Sequence, residues 1–194
     1  MPSSGITSPL TATTKSVKLD EKGNALIVDK VTLPKRCLAP QVLINPNMIP
    51  AIYIAAGGFN LAELPKFPVP ILNTTLAGSM PSDPMLHGVT AGGAPWVVKA
   101  STFDLLSNGA VVVAVKGLVI PGLGTPGPVN EIDAAIYCGA DTTPAAMTKS
   151  VELNQEGDAT IVDKVKLPTR CVAPQVLINP NQLGFLYIAG NGFE

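Results

Sequence analysis

Apolar and polar residues alternate in short runs along much of this chain, and Gly, Pro, Asn and Asp interrupt the runs, a pattern of β-strands joined by turns. The pattern occurs twice. TKSVKLDEKGNALIVDKVTLPKRCLAPQVLINPN, from Thr14, recurs from Thr148 as TKSVELNQEGDATIVDKVKLPTRCVAPQVLINPN, and roughly two thirds of the positions are identical as far as Phe59 and Phe193. Four strands fit each copy: 15–19, 25–33, 41–45 and 51–55 in the first, 149–153, 159–167, 175–179 and 185–189 in the second. Asp20, Gly23 and Asn24, matched by Asn154, Gly157 and Asp158, supply the residue types that tolerate a tight turn. Leu-Pro at Leu33 and Leu167 ends the long strand because proline cannot donate to a ladder, and Asn-Pro-Asn at Asn45 and Asn179 marks the next reversal. Along the long strand Ile27, Asp29, Val31 and Leu33 share one face, while Val28, Lys30 and Thr32 share the other.

Between the copies lies a segment that occurs once. Its latter part predicts three more strands, near 96–106, 110–120 and 129–138, with Ser107-Asn108-Gly109 as a hairpin turn and the Gly- and Pro-rich stretch 121–128 as a loop. The run Val111, Val112, Val113 and Val115 fits a strand buried on both faces. These three strands and the four of the second copy make seven, the number expected of an all-β, Greek-key (Ig-like) sandwich. The chain then divides into a surplus four-stranded half-unit at 1–60, a Pro-rich linker at 61–84 and a complete sandwich at 85–194. The alternative for the Pro-rich stretch is an edge strand at 67–76, its prolines blocking further pairing.

Composition narrows the function. Charged residues are only 14% of the chain and the formal net charge is -1, so the electrostatic footprint of a nucleic-acid or anionic-membrane binder is missing. No apolar run approaches the roughly 20 residues of a membrane helix. Residues 1–14 lack the basic and apolar regions of a signal peptide, which leaves a mature form without its leader or a cytoplasmic protein; low charge with abundant Thr, Ser, Gly and Pro favours secretion.

Reactive constellations are scarce. His87 is the single histidine, no serine sits in GxSxG, and no CxxC or His/Cys cluster offers a metal site, so no catalytic, cofactor or metal residues are assigned. Asp104, Glu131 and Asp133 lie on predicted strands, where carboxylates ordinarily face solvent, and the glycine-rich stretches at Gly92, Gly122 and Gly190 read as turns. Trp96, Tyr53, Tyr187, Phe59 and Phe193 read as packing aromatics before a carbohydrate platform. Of the three cysteines, Cys37 matches Cys171, whereas the position matching Cys138 is Ser4. In an oxidising compartment Cys138 and Cys171 would close a loop of roughly 34 residues; the competing arrangement is three reduced, buried thiols.

The strings AGGAPWVVKASTFDLLSNGAVVVAVKGLVIP, TPGPV and YCGADTTPAA, followed by the second repeat copy, resemble small uncharacterised secreted proteins of actinobacteria and related soil bacteria. The resemblance covers about residues 85–193 and implies export but no activity. Prefixing an extra copy of the C-terminal half departs from that pattern. The surplus half-unit needs cover for Ile27, Val31, Val42, Ile44, Tyr53 and Ile54, with Cys37 beside them outside the Cys138 pair. The expected function is therefore a non-enzymatic extracellular structural protein that associates with other copies of itself, as a symmetric dimer or an open filament. The competing reading is a secreted binding module for a glycan, a cell-surface polymer or a protein.

Overall fold

A computed structural model describes residues 12–34, 37–38, 40–46 and 55–193. Four short strands fall in the first copy: β1 (Cys37–Leu38), β2 (Leu43–Ile44), β3 (Ala55–Ala56) and β4 (Gly58–Asn60). The single-copy segment holds β5 (Pro70–Thr74), β6 (Leu76–Gly78), β7 (Thr90–Ala91), β8 (Ala100–Leu106), β9 (Ala110–Lys116), β10 (Glu131–Cys138) and β11 (Ala146–Met147). The second copy holds β12 (Val151–Glu152), β13 (Ala159–Lys164), β14 (Arg170–Val172), β15 (Pro174–Pro180), β16 (Leu186–Tyr187) and β17 (Ala189–Phe193). No α-helix occurs among the described residues.

Two sheets enclose the core in the manner of a sandwich. One runs β1-β17-β15-β10-β11, with β12 also on β10 and β6 on β17; the other runs β13-β9-β8-β5. All pairs within them are antiparallel. Phe103 and Leu105 from β8, Val111, Val113 and Val115 from β9, and Ile161 from β13 meet Ile132, Ala134 and Ile136 of β10 and Val176 and Ile178 of β15, with Trp96 packed among them. Period-two patterning thus does what alternation dictates, sending one face of each strand inward. Strand β9 is buried on one face only, contrary to expectation: Val112 is 40% exposed, because no third layer covers the outside of its sheet.

The Pro-rich stretch supplies strands to both sheets. β5 is the edge strand beside β8, and β6 continues to the other sheet beside β17. Proline suits an edge because its missing N–H leaves no ladder bond unmade. Of the two sequence readings for 67–76, the edge strand is therefore the one that forms.

The two copies differ although their sequences agree. In the second, the hairpin 149–167 forms β12 on β10 and β13 on β9. In the first, 15–19 and 25–33 form no strand, because they have no neighbouring ladder to complete. The predicted strand 41–45 contracts to β2, and 51–54 lies outside the described residues.

Candidate functional site

Strands β1 and β4 of the first copy dock on the second copy by a reciprocal exchange of strand ends. β1 pairs with β17 in the register Cys37 to Phe193 and Leu38 to Gly192; β4 pairs with β14 in the register Cys171 to Phe59 and Val172 to Gly58. Each pair converts into the other by exchanging equivalent residues of the two copies, which is the signature of a local two-fold relation. The internal pairing matches too: Leu43 to Ala56 and Ile44 to Ala55 in the first copy, Leu177 to Gly190 and Ile178 to Ala189 in the second. Gly58 is required here, since a Cβ on it would meet the Cys171 carbonyl oxygen at 2.4 Å.

Residues 12–34 are almost wholly exposed, yet they hold the local geometry of their counterpart. The Lys15 amide donates to Asp29 Oδ2 at 2.8 Å, as Lys149 does to Asp163 Oδ2 at 2.7 Å. The Gly23 amide donates to the Asp20 carbonyl at 3.0 Å, as Gly157 does to that of Asn154 at 3.0 Å. Both glycines have φ of 79°. Their surroundings differ: a Cβ on Gly157 would meet Leu118 backbone atoms at 2.5–2.7 Å, whereas one on Gly23 would meet nothing within 4 Å. Leu19 is 59% exposed against 1% for its equivalent Leu153, and Ile27 is 39% exposed against 1% for Ile161. Among the described residues, the first copy thus carries a core-forming face with no core behind it.

Of the residues assigned to self-association, Ile27 and Val31 lie on this hairpin, Ile27 exposed and Val31 half-buried. Cys37 is half-buried in β1, while Val42 and Ile44 are exposed at and beside β2. Tyr53 and Ile54 lie outside the described residues. The residues that sequence reasoning passed over are Val17, Leu19 and Leu33, all exposed. Comparing each position with its equivalent in the second copy would have found them, since Leu153 is core and Val151 and Leu167 pack against it.

The disulfide joins Cys138 at the end of β10 to Cys171 in β14. Such a bond needs an oxidising environment to persist.

A second feature lies on the outer face of the β10/β15 sheet. Asp133 and Asn179 are direct cross-strand partners, both buried, and none of their four side-chain oxygen and nitrogen atoms has a hydrogen-bond partner. Asp133 forms part of the wall of a shallow cleft with Met147, Thr148, Lys149, Ser150 and Gln182. Burial pushes its carboxyl up to about 6. Glu131, two residues earlier on the same face, is half-buried, and hydrogen bonds from Gln182 and Ser150 hold its carboxyl below the ordinary range.

Because the folded pKa of Asp133 lies above the unfolded value, the folded state binds the extra proton. Its contribution is complete below about pH 4 and is lost as pH rises to about 6. At neutral pH the ionised group costs on the order of 2–3 kcal/mol. Asp133→Asn is expected to raise stability at pH 7 by that order and to leave it unchanged near pH 3.5. Urea unfolding of both proteins across this pH range checks it, and an equal difference at both ends would contradict it.

His87 occupies a turn with φ of 52° and lies flat on Tyr137, centroids 4.3 Å apart and planes 12° from parallel. Its Nδ1 is hydrogen-bonded to the Asp141 carbonyl at 2.7 Å and its Nε2 to Gln175 Oε1 at 2.5 Å. It pins residues 86–91 over a second apolar cluster of Val89, Ala91, Ala135, Tyr137, Leu177 and Tyr187. No described group of three or more His, Cys, Asp or Glu could hold a metal ion. No helix among the described residues is long and apolar enough to cross a membrane. No protein-family profile, curated protein or solved structure matches this chain.

Proposed function

We propose that this protein is a non-enzymatic, extracellular structural protein that self-associates through its first repeat copy, an extra half-unit of a Greek-key sandwich. The exposure of Leu19 and Ile27, whose equivalents Leu153 and Ile161 are core residues, carries the reading. A face with Val17, Leu19, Ile27 and Leu33 in water is a standing incentive for burial. Full burial of such side chains is worth about 1.5–3 kcal/mol each, against an association cost of about 4–15 kcal/mol, which places pairing in a concentration-dependent range.

Residues 1–194 hold two copies of the C-terminal half and one single-copy segment, so exchange of these residues between identical chains leaves one hairpin per chain over. Face-to-face pairing of two first-copy hairpins avoids this deficit, and it closes as a dimer instead of growing as a filament. The disulfide and the resemblance to exported proteins support an extracellular setting.

Light-scattering mass measured over a concentration series tests the proposal. The 20.0 kDa chain is expected to approach twice its mass at high concentration, and the double variant Leu19→Glu, Ile27→Glu to stay monomeric throughout. A wild-type chain that remains monomeric at every concentration would overturn it.

A further inference from the structure

The hairpin 15–33 retains the shape of a surface made to receive particular strands. In the second copy, Ile161 stands opposite Val113 and Asp163 opposite Val111 along β9, and Val151 stands opposite Ile132 on β10. Asp158 Oδ1 accepts the Gly117 amide at 2.9 Å, and Gly157 admits the Leu118 backbone where any side chain would collide. The first copy keeps Val17, Ile27 and Asp29 at the matching positions, Asn24 with a side-chain oxygen in place of Asp158, and Gly23 with the same positive φ over open space.

β1 and β4 of the first copy are meanwhile paired with β17 and β14 of the second. The exposed face of residues 15–33 is the counterpart of a face that is core in the second copy. Cys37 occupies the position of Cys171, which in the complete unit is bonded to Cys138.

We propose that the first copy is a receptor for a strand set with the chemistry of residues 60–147, which would pair with hairpin 15–33, bury Leu19 and Ile27 and bring a cysteine equivalent to Cys138 onto Cys37. The proposal rests on the exposed face used above for self-association, and it makes the dimer the resort of a chain that lacks this partner. Completion buries the face, so a completed chain does not dimerise. The new bond forms by thiol–disulfide exchange: two thiols are oxidised and one glutathione disulfide is reduced to two glutathione thiols.

The test is the full chain preceded by a second copy of residues 60–147 joined directly to Thr14, prepared in a glutathione disulfide buffer. Amide exchange at Leu19 and Ile27 is expected to slow by ~100-fold or more, toward that of Leu153 and Ile161. Disulfide mapping is expected to join Cys37 to the added cysteine, and the mass to be that of a monomer. In the same extended chain, Leu19→Glu with Ile27→Glu should abolish protection of 15–33 and leave 149–167 unchanged. Fast exchange at 15–33 with no bond at Cys37 overturns the proposal, as does protection that survives the double substitution. A chain that never dimerises, but whose extended form gains protection and the new bond, refutes self-association and leaves this inference standing; the converse pair of results does the opposite.

Discussion

Leu153→Ala is expected to lower the free energy of unfolding by about 2–5 kcal/mol, while Leu19→Ala, the same change at the equivalent position, should alter it by less than about 0.5 kcal/mol. Leu153 is fully enclosed in the principal core, where truncation removes buried methyl groups and leaves a cavity that rigid neighbours fill only in part. Leu19 has over half its surface in water, so truncation there forfeits few contacts. Denaturant unfolding at a concentration low enough to keep the chain monomeric checks the pair. Equal losses at the two sites would mean that the first copy is folded into a core of its own. At high concentration Leu19→Ala should weaken self-association instead, which separates its role in assembly from any role in folding.

The second large effect is at the disulfide. Replacing both Cys138 and Cys171 by serine is expected to cost about 3–4 kcal/mol, since their cross-link closes a loop of roughly 34 residues and removes that freedom from the unfolded chain. The bond also holds β14 to the end of β10, and β14 is the strand that receives β4 from the first copy. Its loss should therefore loosen the docking of β4 as well. Comparing amide exchange at Phe59 and Asn60 in the oxidised protein and the serine variant would show this. Unchanged exchange there would confine the effect of the bond to the second copy.

The all-β class and the strands expected near 96–106, 110–120 and 129–138, which form as β8, β9 and β10, were legible in the sequence because they rest on local pattern; the pairing of Cys138 with Cys171 came from comparing the repeat copies, beside the alternative of three reduced thiols. Asn108-Gly109 turns the chain wherever it lies, whereas the valine run that read as buried on both faces is inward only at Val111, Val113 and Val115. The repeat was visible too, and with it the expectation that like sequences fold alike. That expectation holds for the turn at Asp20, whose hydrogen bonds are local, and fails for the strands beside it.

What only the tertiary structure decided are matters of partnership. A strand needs a neighbour, so Thr160 and Val162 lie in β13 while Leu26 and Val28 lie in none. The role of 70–78 as two strands depended on vacant edges of β8 and β17 that no local signal announces. The burial of Asp133 beside Asn179 depended on cross-strand register, where sequence alone put a carboxylate in solvent. Local propensity and periodicity are properties of a segment; pairing, burial and the reciprocal exchange of strand ends belong to the space between segments, and there two nearly identical copies meet different surroundings.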